Sequence, residues 1–136
     1  IIKTFDKFSI KESFKRIQEN IFVLGSNFAS LKADRVSYNL PRLTEEEIIH
    51  LENEIDFYDS KVDPLRNFIL PGGGKAASHV HICRTKTRQV EREAVELEDI
   101  EHVDLEYLNR LSDYFFVVAR FLNKLENIAD IEWITK

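Results

Sequence analysis

Between residues 75 and 92 the chain places His81, Arg84, Arg88 and Glu91 at steps of three, four and three, with Arg92 four residues after Arg88. On a helix of 3.6 residues per turn that spacing gathers them on one face. Guanidinium groups stay charged at neutral pH, so a row of arginines suits an anion. Immediately upstream stands Pro71-Gly72-Gly73-Gly74-Lys75. Glycines let a ligand approach the backbone, and the helix start they lead into offers unpaired N–H groups and the positive end of the helix dipole. The pattern is not a phosphate-binding P-loop, because Lys75 is followed by Ala76 and the earlier glycine of G-x-x-x-x-G-K-[ST] is lacking.

Each feature also has a plainer reading. A basic helix face is usually solvated or paired with acids of a neighbouring helix, and three glycines after a proline can simply turn the chain into a helix. His79, His81 and Cys83 have spacing that permits a metal ligand pair, but Cys83 falls on the apolar seam and no second pair is evident, so no metal site is expected. Asn109, Arg110, Ser112 and Asp113 interrupt the start of an otherwise apolar helix, where an Asn109/Asp113 pair can stabilise the helix itself. Phe68, just ahead of Ile69-Leu70-Pro71, can plug one end of the fold.

The elements that carry these residues follow from periodicity. Ser9 with Glu12 makes a capping box and opens a run of Ile10, Phe14, Ile17, Ile21, Leu24, Phe28 and Leu31, which predicts a helix over residues 10–31. Thr44 with Glu47 repeats the cap, and Ile48, Leu51, Ile55, Tyr58 and Val62 predict a second helix ended by Asp63-Pro64. Residues 65–74 read as a loop. Ala76, Val80, Cys83, Thr87, Val90, Ala94 and Leu97 predict a third helix starting at the glycines. Asp104 suits an N-cap for a fourth, with Leu108, Leu111, Phe115, Val118, Leu122 and Leu125 as its seam. Tyr114, Phe116, Val117 and Phe121 lie off that seam, so the fourth helix is either central or buried against another subunit. With residues 1–8 read as the end of a fifth helix, the expectation is an all-α, up-and-down helical bundle, one domain over residues 1–136.

A chain of 136 residues supports one core, and 43 % apolar against 32 % charged residues, with four glycines and three prolines, excludes a disordered or low-complexity chain. No apolar run approaches the ~20 residues that cross a bilayer, and no leader pattern opens the sequence, so a soluble, cytoplasmic protein without membrane contact is expected. The lone Cys83 fits a reducing compartment. Met is absent altogether, from which a missing N-terminal stretch is expected. Net charge −5 argues against nucleic acid as a partner. Yet Lys75, Arg84, Lys86, Arg88 and Arg92 face only Glu91 in their segment, whereas residues 93–106 hold seven acids and no Lys or Arg. A cationic patch on an acidic protein points to a small anionic ligand.

Three linked motifs now stand together: Phe68-Ile69-Leu70-Pro71-Gly72-Gly73, then His81-x-Cys83-Arg84-Thr85-x-x-Arg88-x-x-Glu91-Arg92, then Tyr107-Leu108-Asn109-Arg110-Leu111-Ser112-Asp113. They resemble the ATP:cob(I)alamin adenosyltransferases of the helical-bundle type, and Ile17-Gln18-x-x-Ile21-Phe22-x-Leu24-Gly25 is similar to that family's second helix. The resemblance implies a five-helix bundle, a homotrimer with sites between subunits, and transfer of the 5′-deoxyadenosyl group of ATP to cob(I)alamin with release of triphosphate. It implies ATP, Mg²⁺ and cobalamin as ligands, and a corrinoid reductase or an adenosylcobalamin-dependent enzyme as partner. By position it assigns Arg88, Glu91, Arg92 and Asn109 to ATP, Arg84 to an intersubunit salt bridge bordering the catalytic site, and Phe68 to the corrinoid. Arg84 and Arg88 are the expected catalytic residues. Two departures accompany it: Gln89 stands where the family commonly has a second arginine, and the N-terminal nucleotide loop and the acidic partner of Arg84 have no counterpart in this sequence. The rival expectations are a non-catalytic bundle that binds a nucleotide or corrinoid, and a structural oligomerisation module.

Overall fold

The computed structural model describes residues 8–135. Five α-helices follow in order: α1 Ile10–Ala29, α2 Lys32–Ser37, α3 Glu45–Asp59, α4 Lys75–Ala94 and α5 His102–Leu125. Among the described residues there is no strand beyond one isolated bridge between Ile69 and Glu132. The expected helix end at residues 1–8 lies, but for Phe8, outside the described residues.

Side-chain pairs fix the helix directions. Ser13 of α1 meets Glu54 near the end of α3, and Arg16 meets Glu47 near its start. Gly74 and Asn123 join the start of α4 to the end of α5, and Glu91 and Asn109 join their other ends. Lys124 of α5 donates to the carbonyl of Lys61 just past α3. The four long helices therefore run up, down, up, down, as the sequence predicts. α5 is the central one, packed most closely on α4 and α3. Its off-seam Tyr114, Val117 and Phe121 are buried within this chain, and Phe14 of α1 stacks on Phe115 with ring centroids 6.0 Å apart. The first of the two explanations for its apolar circumference is therefore the correct one.

Four boundaries differ from the periodic reading. α1 stops at Ala29 rather than Leu31, because Ser30 is extended and Arg35 donates to the carbonyls of Asn27 and Ser30 at 2.9 and 2.6 Å. The same guanidinium reaches the Asp99 carbonyl at 2.8 Å, so a buried arginine on the unexpected short helix α2 ties two corners of the bundle together. α3 ends at Asp59 and α4 at Ala94, each three residues before the last apolar position of its pattern. Finally, α5 begins at His102 with Glu101 as N-cap. Asp104 is 1 % exposed and turned inwards rather than capping.

The seam of α1 also departs from expectation. Ile10, Ile17 and Leu24 are buried at steps of seven, but the companion positions are Ser13, Asn20 and Asn27, all buried polar residues. Ile21 is 47 % exposed instead. Each polar position has a partner: the Ser13 hydroxyl donates to Glu54, and Asn20 donates to Glu47 at 2.7 Å and to the Tyr107 hydroxyl at 3.1 Å. Asn27 hydrogen-bonds Asp104. These bonds order the helix pairing, but Asn27 Oδ1 and Asp104 Oδ1 stay buried without a hydrogen-bond partner, which sets a desolvation penalty against the gain.

Glu54 is 1 % exposed, and burial pushes its carboxyl up from the usual range, with Ser13 and Arg16 pulling it partly back. A folded-state pKa above the unfolded one stabilises the fold fully at pH below the unfolded value and loses that contribution as pH rises through the folded value. Glu54→Gln, which keeps an oxygen for Ser13 and abolishes the charge, is expected to be more stable than the parent at pH 8 and to narrow the difference between melting temperatures at pH 8 and pH 5. Calorimetry at the two pH values checks this. A variant that melts lower than the parent at pH 8 would show that the charged form is preferred there.

Candidate active site

α4 starts where the glycines end the loop, with Gly74 as its N-cap residue. Gly72 and Gly73 have φ of +141° and +105°, backbone that residues with a Cβ rarely adopt. From this start α4 presents the expected row in order: His81 buried, Arg84 half-buried, Arg88 exposed, Glu91 half-buried and Arg92 exposed. On the antiparallel α5, Asn109 and Phe116 are seven residues apart and so share a face. Asn109 Nδ2 donates to Glu91 Oε1 at 3.0 Å, and Arg110 donates to Asn109 Oδ1 at 2.5 Å while pairing with Asp113 at 2.9 Å. Thus Glu91 and Asn109, far apart in sequence, are brought together, and Asp113 pairs with Arg110 rather than Asn109.

Four of the nine arginines are ion-paired among the described residues; Arg42 and Arg66, outside α4, are not, and neither is the row on α4. Arg16, Arg35, Arg110 and Arg120 each have a carboxylate within 4 Å. Among the described residues Arg84, Arg88 and Arg92 have none. The salt-bridge reading of this face is therefore not realised among the described residues, which leave the three arginines without a carboxylate partner. Arg84 donates from Nε to His81 Nδ1 at 3.3 Å. That bond requires a neutral imidazole with its proton on Nε2. Burial first, and Arg84 second, push the His81 pKa down, with Asp130 opposing. Burial and neighbouring Arg88 lower that of Arg84 too, but a guanidinium stays protonated at neutral pH. Gln89 turns aside, joined to Lys86 and Glu93 at 3.3 and 3.1 Å.

His81 and Arg84 also line a cleft of about 990 Å³, walled by Phe68, Ile69 and Pro71 of the loop, Phe116 of α5, and Trp133 and Ile134 of the C-terminal tail. Phe68 is 80 % exposed and plugs nothing. Its loop is held through the backbone: Leu70 N–H donates to Ile131 at 2.8 Å, and Trp133 N–H to Phe68 at 2.6 Å. The tail and Phe116 are the parts of the site that sequence spacing did not single out as ligand-facing, whereas His81 stands on the expected row.

Cys83, expected on the apolar seam, is exposed, as are Ala76 and Val90, whereas Ala77, Val80, Thr87 and Ala94 are buried. The seam has drifted round the helix, with Ala77 and His81 buried in place of Ala76 and Cys83. Cys83 instead borders an apolar groove with Ile21, Phe28, Val90 and Phe115. Among the described residues no three His, Cys, Asp or Glu side chains converge to hold a metal ion. The residues present do not fit a protein-bound Mg²⁺ site, since Glu91 is the one acid on the arginine face and its Oε1 is taken by Asn109. Among the described residues, no helix is long and apolar enough to cross a membrane.

A family model for cobalamin adenosyltransferases matches residues 2–122. The chain belongs to that family. A corrinoid adenosyltransferase of Bacillus subtilis is 46 % identical over 120 residues, covering 86 % of this chain and 60 % of the relative. The corrinoid adenosyltransferase of Mus musculus is 38 % identical over 115 residues, covering 81 % and 48 %. A solved PduO-type ATP:corrinoid adenosyltransferase variant from Lactobacillus reuteri, complexed with cobalamin and ATP, superposes with a TM-score of 0.85 at 36 % identity, over 91 % of this chain and 70 % of that one. The chain thus spans about 60 % of the length of the Bacillus subtilis relative. The all-α bundle of four long helices expected from the sequence is the one observed; its fifth helix, α2, is not the one expected at residues 1–8.

Proposed function

We propose that the chain acts in ATP:cob(I)alamin adenosyl transfer, with the arginine row of α4 taking the triphosphate and the adjoining cleft taking the corrinoid. The observation that carries this reading is the row of Arg84, Arg88 and Arg92, unpaired among the described residues and continuous with an apolar cleft capped by an exposed Phe68. A solved relative's complex with cobalamin and ATP supports it.

The reaction has one bond made and one broken. The cobalt(I) electron pair attacks C5′ of ATP, the Co–C bond forms, and the C5′–O electron pair leaves with triphosphate. Negative charge gathers on the departing oxygen, so fixed cations aimed there lower the barrier, and placing the two substrates supplies the rest. Arg88 and Arg92 suit the triphosphate, with Asn109 and Glu91 holding the far end of the nucleotide site. Any Mg²⁺ would be held by phosphate oxygens and water rather than by a protein cage. Phe68, Phe116 and Trp133 offer apolar faces to the corrin ring and exclude water from cobalt.

A homotrimer with sites between subunits belongs to the same proposal. Arg84 has no acidic partner in its own chain among the described residues, which suits a residue that meets one across an interface. Phe22 at 80 % and Ile82 at 58 % exposure provide apolar surface on α1 and α4 that another subunit can cover. The argument from α5 falls away, since α5 is central within the chain.

The test combines chemically reduced cobalamin with ATP and follows Co–C bond formation by absorbance, with light scattering on the same sample. The expected result is ATP-dependent formation of adenosylcobalamin by particles of three times the 16.0 kDa chain mass. Thermal stabilisation by ATP without product would leave a nucleotide-binding bundle, because a ligand that binds only the folded state raises its stability whether or not it reacts. No stabilisation and no product would leave an oligomerisation module. Turnover by a monomer would refute the shared site.

A further inference from the structure

We propose that Asn123 is a positioning residue that fixes the Phe68 loop over the cleft by clamping the backbone of Gly72 and Gly74. Asn123 stands in the last turn of α5 and is 5 % exposed. Its Nδ2 donates to the Gly72 carbonyl at 2.9 Å, while its Oδ1 accepts from the Gly74 N–H, also at 2.9 Å. One planar amide thus satisfies a carbonyl and an N–H two residues apart, and the backbone must arch over it. Gly73 is the crown of that arch. A Cβ placed there would collide with all three atoms of the Asn123 amide, and the positive φ disfavours a side chain independently.

The clamp has consequences for the loop because Phe68 cannot hold itself. With 80 % of its surface exposed, its ring lacks the packing that fixes a core side chain, so its location is set by backbone anchors. One anchor is the short ladder to the tail, Trp133 to Phe68 and Leu70 to Ile131. The other is Asn123, which closes the opposite end of the loop where it enters α4. α5 and its tail therefore hold residues 68–74 at two points, and loosening either lets Phe68 leave the mouth of the cleft. Arg88 and Arg92 are more than three turns further along α4 from this anchor, so the nucleotide end should not sense its loss.

This inference rests on the proposed function for its kinetic consequence but not for its geometry, and the test separates the two. Asn123→Asp retains an acceptor for Gly74 and sets a carboxylate oxygen against the Gly72 carbonyl. It is expected to raise the KM for reduced corrinoid roughly tenfold or more, the scale of one lost buried hydrogen bond, with the KM for ATP within about threefold. Equal shifts for both substrates, or none for either, would overturn it. Trp133 is the single tryptophan, is bonded through its backbone to Phe68 and lines the same cleft, so its quenching by acrylamide reports the loop without any turnover. Quenching should increase in Asn123→Asp and in Asn123→Ala, and unchanged quenching in both would refute the clamp. A double-mutant cycle completes the test. Gly73→Ala should lower the melting temperature less in the Asn123→Ala background than in the parent, because the colliding amide has gone; additive effects would overturn the proposal. If the parent chain shows no adenosyl transfer, the functional reading fails, and the quenching and the cycle still decide the clamp.

Discussion

Arg88→Ala is expected to fold as the parent does and to lose adenosyl transfer by on the order of ten- to a thousandfold, the range seen when one charge-stabilising group is removed. Folding should survive because Arg88 is exposed and, among the described residues, has neither an ion-pair partner nor a hydrogen bond to lose. Surface changes of that kind stay within about 0.5 kcal/mol. The activity loss follows from chemistry. A triphosphate leaving group accumulates charge only as the C5′–O bond breaks, so a cation placed there stabilises the transition state more than bound ATP. The defect should accordingly fall on kcat more than on the ATP dissociation constant. Arg88→Lys keeps the charge but loses the two-pronged grip, and an intermediate rate is expected. Stopped-flow absorbance at saturating substrates measures both variants. Unchanged turnover in Arg88→Ala takes the residue out of the site, and loss of folding makes it a structural partner instead.

The parts of this site that sequence made legible are those carried by single elements. The row on α4 is a matter of residues three and four apart on one helix, and the glycine loop locates the start of that helix. The bundle followed from four apolar seams. What stayed hidden is non-local or polar. Ser13, Asn20 and Asn27 look like surface positions because their types are polar, and only partners on two other helices, α3 and α5, explain their burial. Arg35 is the same case: an arginine buried against backbone carbonyls leaves no pattern in its own helix. α2 is six residues long and has no periodicity to read. The tail that walls the cleft pairs with a loop more than sixty residues earlier, and the Asn123 clamp spans about fifty. Asp104 shows the opposite error, a residue type right for a cap and a burial that makes it something else; burial pushes its carboxyl up, with Asn27 pulling back.

Phe68→Ala separates the two substrates. A plug at the end of the bundle would lose about 3–5 kcal/mol on truncation of a buried ring, but a ring 80 % exposed has no cavity to leave. The melting temperature is therefore expected to stay within the shift of a surface substitution, about 0.5 kcal/mol in stability. Phe68 offers ATP no polar atom, and the arginine row lies further along α4, so the ATP dissociation constant should change by less than roughly threefold, under ~0.7 kcal/mol. The corrinoid is different. Phe68 lines the cleft with Trp133 and Phe116, so if the cleft takes the corrinoid as proposed, removing it would both delete an apolar face for the ring system and admit water towards cobalt. Adenosylation is expected to fall on the order of tenfold or more, the loss of an aromatic contact together with that water exclusion. Calorimetric titration with ATP and the absorbance assay, run on one preparation, measure both quantities. A rate that holds while ATP affinity falls would place Phe68 at the nucleotide. A joint decline of melting temperature, rate and ATP affinity would mean that the ring supports the fold after all, through contacts made when the chain assembles with its copies.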